Sequence, residues 1–421
     1  MEIGGTTRRG FLASSLFLLA RQAFGAASTN PAPTSHHNAS VDYGRATLPS
    51  GIRSRRIDTN NQVVLHILEA GFESPGRPCV VLLHGFPELA YTWRNQMLPL
   101  ARAGYHVIAP DARGYGLSAS QPVVYSDSLV PYSMFNRVSD VLGLVRALGH
   151  VQVAMVVGHD WGGPTAQWCA RSRPDVFRSV VSVSTPFLQE PTLPLNSALH
   201  PDAAKTEVDI DKELAALPRP RKHYATYSAS REANENMWHA PQSIHALLRE
   251  LFYFKSADWE GNRPFPLKSE TASEFAKMPT YYIMDLNKGI AETMAEHQPS
   301  PGYIATCQWM TEADLDVYTA QFTRTGFQGG LNYYRVDADD ALWNEQHIFA
   351  DKTIDVPACY IGGAREWGIY QRPGAFQTMN KACTRLQGTH LVPGAGHSVV
   401  EEQPGAVNQI LIEFLNKASV G

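Results

Sequence analysis

The chain has 421 residues, of which 44% are hydrophobic, and its 36 basic and 40 acidic residues give a net charge of −4 at pH 7. This composition is that of a folded protein with a sizeable core, and the lack of a basic excess argues against a nucleic-acid partner. An odd number of cysteines without a CxxC pair argues against a disulfide framework or a thiolate zinc site. We expect small buried apolar side chains at Cys79, Cys169, Cys307, Cys359 and Cys383.

Residues 1–27 have the features of an export signal, with paired Arg8 and Arg9, a short apolar stretch at 11–20 and small residues after it. TRRGFL is similar to the twin-arginine signal, which predicts an exported protein, periplasmic or secreted. The apolar stretch is about half the roughly twenty residues of a membrane span, and Arg21 follows it, which disfavours a permanent anchor. The alternative is an ordinary basic start to a cytosolic protein.

Residues 28–50 contain STNPAPTSHHNAS, which has no hydrophobic period. Because Pro, Ser and Asn dominate it, we predict a flexible leader. His36 and His37 lie in this stretch, and an isolated histidine pair in a tail indicates solvated side chains rather than a metal site.

Short β-branched runs then recur along the chain with helical patterns between them. CVVLL, HVIA, VQVAMVV and SVVSV, which begin at residues 79, 106, 151 and 179, have the length of buried strands. Between the second and third, Val138, Val141, Leu142, Val145 and Leu148 have helical spacing. Alternating strands and helices predict an α/β fold with a mostly parallel central sheet flanked by helices.

The strand pattern lapses between about residues 187 and 351, where helix formers, aromatic residues and prolines dominate, and VPACYIGG and THLVPGAG resume it. An inserted helical segment within one sheet domain explains this better than domains in series. We therefore predict a core in two parts, at 51–187 and 351–421, and a mainly helical cap domain at 188–350.

The chemically suggestive residues follow the predicted strands. GHDWG, residues 158–162, has the form of a G-x-nucleophile-x-G turn with Asp160 at its centre. Alone, this pattern is weak, and a structural aspartate that caps a helix is its default interpretation. HGFPE at 84–88 and GAGHS at 394–398 also follow apolar strands, which gives the chain order of nucleophile, acid and histidine expected of this architecture.

With these motifs the chain resembles the epoxide hydrolases of the α/β-hydrolase fold. The resemblance extends from about Arg56 to the end and includes HGFPE, DARGYGLS, GHDWGG, STPF, GLNYYR and GHSVVEEQPGAVNQILIEFL in family order. It implies an enzyme that converts an epoxide to a vicinal diol without a cofactor or a metal. Its partners would be a small hydrophobic epoxide and water, with the oligomeric state left open.

An aspartate nucleophile suits a saturated carbon electrophile, because the ester that it forms can be hydrolysed whereas the ether formed by a serine cannot. Asp160 is ionised at neutral pH without a base, since an unperturbed aspartate has a pKa of about 3.9. His397 is then free to act as the general base that activates water against the ester. The alternative for His397 is a buried loop histidine.

The base needs an acidic partner, and the resemblance places it at Glu366, in IGGAREWG, where many relatives carry aspartate. A solvent-exposed loop glutamate is the alternative for Glu366. We regard Asp111 and Asp140 as structural. The other candidate acids are Glu190, Glu401 and Glu402.

The resemblance also places an oxyanion hole at the backbone amides of Phe86 and Trp161, whose rings could instead only line an apolar pocket. The alkoxide released from an epoxide needs a proton donor, and the family's paired tyrosines match Tyr224, in RKHYATY, and Tyr334, in GLNYYR. Tyr227 and Tyr333 lie close enough in sequence to be mistaken for them.

Two rival enzymes share the elbow aspartate. Haloalkane dehalogenases often place asparagine where this chain has Phe86, and fluoroacetate dehalogenases favour arginine where it has Trp161. Both cap tyrosines favour the epoxide hydrolase. A rival of another class is a non-catalytic ligand-binding protein on the same scaffold, which the loss of a nucleophile, base or acid would indicate, and none is lost.

Overall fold

A computed structural model describes residues 43–44, 46–188 and 209–418. Within these residues, ten strands form an eight-stranded sheet of order β1-β2-β4-β3-β5-β6-β9-β10 and a two-stranded sheet of β7 and β8. The strands are β1 (Arg53–Asp58), β2 (Val64–Ala70), β3 (Cys79–Leu83), β4 (His106–Pro110), β5 (Val153–His159), β6 (Val180–Val183), β7 (Arg221–His223), β8 (Ile283–Asp285), β9 (Ala358–Gly363) and β10 (Leu386–Val392).

The α-helices of the described residues cover both faces of the sheet and build the segment between β6 and β9. They are α1 (Arg94–Arg102), α2 (Met134–Ala147), α3 (Gly162–Ser172), α4 (Ile210–Ala215), α5 (Tyr224–Ser228), α6 (Glu232–Trp238), α7 (Ile244–Lys255), α8 (Ala272–Phe275), α9 (Ile290–Ala295), α10 (Pro301–Thr306), α11 (Glu312–Thr325), α12 (Gln328–Asp337), α13 (Asp340–Asn344), α14 (Met379–Ala382), α15 (Val399–Glu402) and α16 (Pro404–Ala418).

The large sheet is parallel from β4 to β10, and β2 is antiparallel to both of its neighbours. Strand β3 alternates between two hydrophobic cores: Val80 and Leu82 belong to one, whereas Cys79, Val81 and Leu83 belong to the other. A strand buried on both faces is an apolar run rather than an alternating pattern. This confirms the mostly parallel, helix-covered sheet predicted from the runs.

The register brings the carboxyl ends of the parallel strands to one edge. Leu83 pairs with Gly158, His159 pairs with Val183, and Val183 pairs with Ile361. The loops that follow β3, β5, β6 and β9 therefore leave the sheet side by side. This edge is where ligands bind in open α/β sheets.

The described part of the segment between β6 and β9 is mainly helical and also contains a two-stranded sheet, for which the sequence provides no signal. Arg221–His223 pairs antiparallel with Ile283–Asp285. Each strand has three residues, which is too short to produce a recognisable alternation in the sequence.

The chain is packed before residue 51, where the predicted flexible leader was to end. Tyr43 is buried, and its hydroxyl donates a hydrogen bond of 2.5 Å to Asp111. The predicted flexible leader, residues 28–50, is therefore wrong at Tyr43, whose side chain packs against the core. Residues 1–42, which include the predicted signal, His36 and His37, lie outside the described residues. All five cysteines are buried.

Among the residues that the structure describes, no helix combines the length and apolarity required to cross a bilayer.

Candidate active site

Asp160 lies at a sharp turn between β5 and α3, in the left-handed backbone region with φ of +48°. A Cβ atom at Gly158 would lie 2.0 Å from the Gly162 carbonyl oxygen, and one at Gly162 would lie 2.2 Å from the Leu83 carbonyl oxygen. Both positions therefore exclude any side chain. The two glycines let the turn close tightly and hold a non-glycine residue at its apex in a strained conformation.

The Asp160 carboxylate accepts a hydrogen bond from the Phe86 backbone amide, with 2.8 Å between nitrogen and Oδ1. Burial raises the pKa of Asp160, but the contact with His397 and its positive charge outweigh burial, so the pKa lies below its usual value. Asp160 is therefore an anion at neutral pH. Its second oxygen, Oδ2, lies 3.4 Å from His397 Nε2.

His397 follows β10 and lies between two carboxylates. Its Nδ1 is 3.0 and 3.1 Å from the two oxygens of Glu366, so Nδ1 carries a proton and Nε2 faces Asp160. Glu366 is fully buried and also accepts the Gly368 amide proton at 2.5 Å. Burial lowers the pKa of His397, but the charge of Glu366 and the contact with Asp160 raise it to about 10.

Of the candidate acids that the structure describes, Glu366 is the one that contacts His397. Glu401 forms an ion pair with Arg94 at 2.6 Å, and Glu402 accepts the backbone amide protons of Ala257 and Gly396. Glu190 lies outside the described residues.

The two aspartates regarded as structural are bound elsewhere. Asp111 accepts hydrogen bonds from two backbone amides and from the Tyr43 hydroxyl, and Asp140 forms an ion pair with Arg113 at 2.6 Å.

The two backbone amides that the resemblance placed in the oxyanion hole differ in their contact with Asp160. The Phe86 amide, in the loop after β3, reaches Asp160, and its peptide bond to Pro87 is cis. The Trp161 amide lies just before α3 and makes no hydrogen bond to Asp160. Both rings border the site: Tyr334 packs edge-on at 4.9 Å from the Trp161 ring and 5.6 Å from the Phe86 ring.

Tyr224 and Tyr334 come from different helices of the cap and meet across the site. Tyr224 begins α5, Tyr334 lies in α12, and their ring centroids are 6.0 Å apart. Burial raises the pKa of both phenols above the usual value, so both are protonated at neutral pH. The Tyr224 hydroxyl donates a weak hydrogen bond to Gln371 Oε1 at 3.4 Å.

The neighbouring tyrosines that could be mistaken for this pair point elsewhere. The Tyr227 ring packs against the Lys222 ammonium at 4.4 Å, and Tyr333 packs against Tyr115 and the Arg137 guanidinium.

Three features of the site escaped the sequence reasoning. One is a phenol, Tyr281, whose ring lies 5.1 Å from that of Tyr224. The second is the buried Lys255 at the end of α7. Both lie in aromatic stretches, PTYYIMD and LFYFK, that read as core packing. The third is a pair formed by Glu88 and His159, for which the adjacent HGFPE and GHD motifs were the available signal.

The Glu88–His159 pair is buried beside Asp160. His159 Nδ1 lies 2.8 Å from Glu88, and Nε2 lies 2.8 Å from the His397 carbonyl oxygen. Because both ring nitrogens face acceptors, His159 is a doubly protonated cation. Burial lowers the pKa of His159, but the charge of Glu88 raises it above the usual value. Glu88 also accepts the Gly85 amide proton at 2.9 Å.

Comparison with known proteins agrees with this architecture. The sequence profile of the α/β hydrolase fold matches residues 78–266. Epoxide hydrolase A of Mycobacterium tuberculosis (strain ATCC 25618 / H37Rv) is 32% identical over 373 residues, which cover 86% of this chain and 96% of that protein. Epoxide hydrolase B of the same organism is 33% identical over 343 residues, covering 80% and 91%.

Solved structures give the same result. An epoxide hydrolase from an endophytic Streptomyces has a TM-score of 0.70 at 28% identity, over 87% of this chain and 96% of that one. Epoxide hydrolase A from Mycobacterium thermoresistibile has a TM-score of 0.67 at 30% identity, over 87% and 98%. The relatives match both halves of the core and the segment between them. The chain therefore belongs to the epoxide hydrolase family of α/β-hydrolases.

Proposed function

We propose that this chain hydrolyses epoxides to vicinal diols through a covalent ester on Asp160. The observation that carries the proposal is the juxtaposition of three groups. An ionised carboxylate lies at the strained turn, a histidine held by a buried glutamate lies 3.4 Å from it, and two protonated phenols face the same space from the cap.

In the first step, Asp160 Oδ2 attacks an epoxide carbon while the Phe86 amide holds Oδ1. A carbon–oxygen bond forms to Oδ2, and the bond from that carbon to the epoxide oxygen breaks. The released oxygen takes a proton from Tyr224 or Tyr334, because an alkoxide is far more basic than a phenol. Burial supports this role, since it keeps both phenols protonated until the alkoxide forms.

In the second step, loss of the Asp160 charge changes His397. The anion beside Nε2 is part of what raises the histidine's pKa, so ester formation lowers that pKa and frees Nε2 to act as a base. The proton that His397 loses balances the one that the phenol gave up in the first step.

His397 Nε2 then takes a proton from water, whose oxygen attacks Cγ of the ester. Negative charge develops on Oδ1, which the Phe86 amide already contacts at 2.8 Å. The Cγ–Oδ2 bond breaks as this tetrahedral intermediate collapses, the departing diol oxygen takes up the proton of the newly formed carboxylic acid, and Asp160 returns to its carboxylate form.

The paired phenols also distinguish this reaction from dehalogenation. A halide leaves without a proton and needs only polarising N–H groups, whereas the Phe86 side chain offers no such donor. Two hydroxyl donors opposite the carboxylate suit an oxygen leaving group. The proposal agrees with the named activity of the relatives.

Replacement of Asp160 by alanine should abolish diol formation. We expect a loss of at least about 10³-fold in styrene oxide turnover, measured by chromatography, because no other group can form the ester. In heavy-oxygen water, the first turnover of the unmodified protein should give diol whose new oxygen is light. Replacement of the exposed Asp175 by alanine is the control. Unchanged turnover in Asp160→Ala, or heavy oxygen in the first product, contradicts the mechanism.

Glu366→Gln should slow ester hydrolysis more than ester formation, because the positive charge that His397 gains when it takes a proton from water then has no carboxylate partner. We expect about a 100-fold slower second step and an ester-bound protein visible by intact mass spectrometry. Glu402→Gln is a matched control, since burial raises the pKa of Glu402 to about 8 and the glutamine replaces a mostly neutral side chain. Equal second-step rates in the two variants would remove Glu366 from the proposed role.

Tyr224→Phe and Tyr334→Phe should each slow ester formation by about 10- to 100-fold, and the double variant should lose more than either. The rate is read from single-turnover kinetics. Tyr227→Phe removes a hydroxyl from the same helix as Tyr224, away from the site, and should leave ester formation unchanged. A double variant as fast as the unmodified protein would exclude both phenols as proton donors.

We also propose that residues 1–27 direct export. Replacing Arg8 and Arg9 with lysines should retain the protein inside the cell, because a twin-arginine signal depends on the guanidinium pair. Fractionation with N-terminal mass spectrometry measures this. An exported protein that still begins at Met1 argues against cleavage, and unchanged export of the lysine variant argues against this route.

A further inference from the structure

Lys255 is a buried cation without an anionic partner. It is the last residue of α7, only 7% of it is exposed, and its ammonium makes no ion pair or hydrogen bond within the part of the chain that the structure describes. The face of the Tyr281 ring lies 4.5 Å from Nζ. A cation–π contact compensates only part of the cost of removing an ammonium group from water.

The lysine belongs to the wall of the site. Its backbone carbonyl accepts the His397 amide proton at 2.9 Å, and its side chain lines a cavity together with Phe86, Leu251, Phe252 and His397. Its positive charge acts on both Asp160 and His397. The cation therefore lies near the proposed base, beside the cavity that both residues line, and near the proposed nucleophile.

The acidic side chains near Lys255 form ion pairs or hydrogen bonds with other groups. Glu88 binds His159, Glu366 binds His397, and Glu402 accepts two backbone amide protons. Asp258, three residues after Lys255, accepts hydrogen bonds from the Tyr303 hydroxyl and the Trp309 indole N–H. None of these carboxylates forms an ion pair with the ammonium, so an anion that enters the cavity would find the cation available.

We propose that Lys255 binds a carboxylate carried by the substrate, and that the preferred substrates are epoxides with an acid group close to the oxirane ring, as in 2,3-epoxy acids. The short spacing follows from Tyr281, whose ring lies 4.5 Å from the Lys255 ammonium and 5.1 Å from the ring of Tyr224. Tyr224 is the proposed donor to the epoxide oxygen, so anion and oxirane are a few bonds apart. This inference rests on the proposed function.

Two probes that differ only in charge test the proposal: 3-phenylglycidate and its carboxamide. For the unmodified protein, kcat/KM should favour the acid. Lys255→Met keeps the length and apolar stem of the side chain, and should lower the ratio of kcat/KM for the acid to kcat/KM for the amide by about 10- to 100-fold. This ratio reports steps up to ester formation, and turnover of the amide shows that the variant is folded.

Lys222→Met is the matched control, because it removes a cap ammonium that lies over the Tyr227 ring and should leave the preference for the acid unchanged. Equal losses for acid and amide in Lys255→Met would overturn the proposal and assign the cation to the reaction itself. Absence of a loss for the acid, or of a preference for it in the unmodified protein, would also overturn it.

A binding experiment separates this proposal from the proposed function. Cinnamate and cinnamamide have no epoxide, and their affinities can be measured by calorimetry. Tighter binding of cinnamate that is lost in Lys255→Met supports the carboxylate subsite even if the unmodified protein hydrolyses no epoxide. Equal affinities of cinnamate for the two proteins would overturn it, even if styrene oxide is hydrolysed.

Discussion

The site depends on the negative charge of Asp160 at a strained turn, where its side chain is only 17% exposed. A carboxylate in such a place requires compensation, and the Phe86 amide and His397 supply it from two different loops. In the proposed mechanism, the same compensation explains how one histidine can be inert at first and basic later. While Asp160 is an anion, it helps to raise the pKa of His397, and conversion of Asp160 to the proposed neutral ester would remove that effect.

The Glu88–His159 pair connects the parts that must keep their relative positions. Glu88 holds the Gly85 amide in the loop that presents Phe86, while His159 immediately precedes Asp160 and donates to the His397 carbonyl oxygen. Ser184 donates to that carbonyl as well, at 2.8 Å. One buried ion pair thus joins the loop of the amide donor, the turn of the carboxylate and the loop of the base.

The sequence predicted the parts of this arrangement that short patterns encode. CVVLL identified β3, and the GHDWG turn with its two glycines placed Asp160 at the end of β5. It did not predict β7 and β8, whose three-residue strands have no period, or the packing of Tyr43, which depends on Asp111 far along the chain. A lysine at the end of an amphipathic helix is typically solvent-exposed. The burial of Lys255 could therefore be found only from the folded structure.

The cap completes the site rather than only covering it. The sheet edge supplies Asp160, His397 and Glu366, but the two proposed proton donors, Tyr224 and Tyr334, come from the segment between β6 and β9. Tyr334 reaches the core by packing against Phe86 and Trp161, whose backbones lie in the two loops next to the carboxylate. Aromatic packing between cap and core therefore sets the distance between the proposed nucleophile and the proposed proton donors, and a change at the Phe86 ring should alter ester formation without any loss of a polar group.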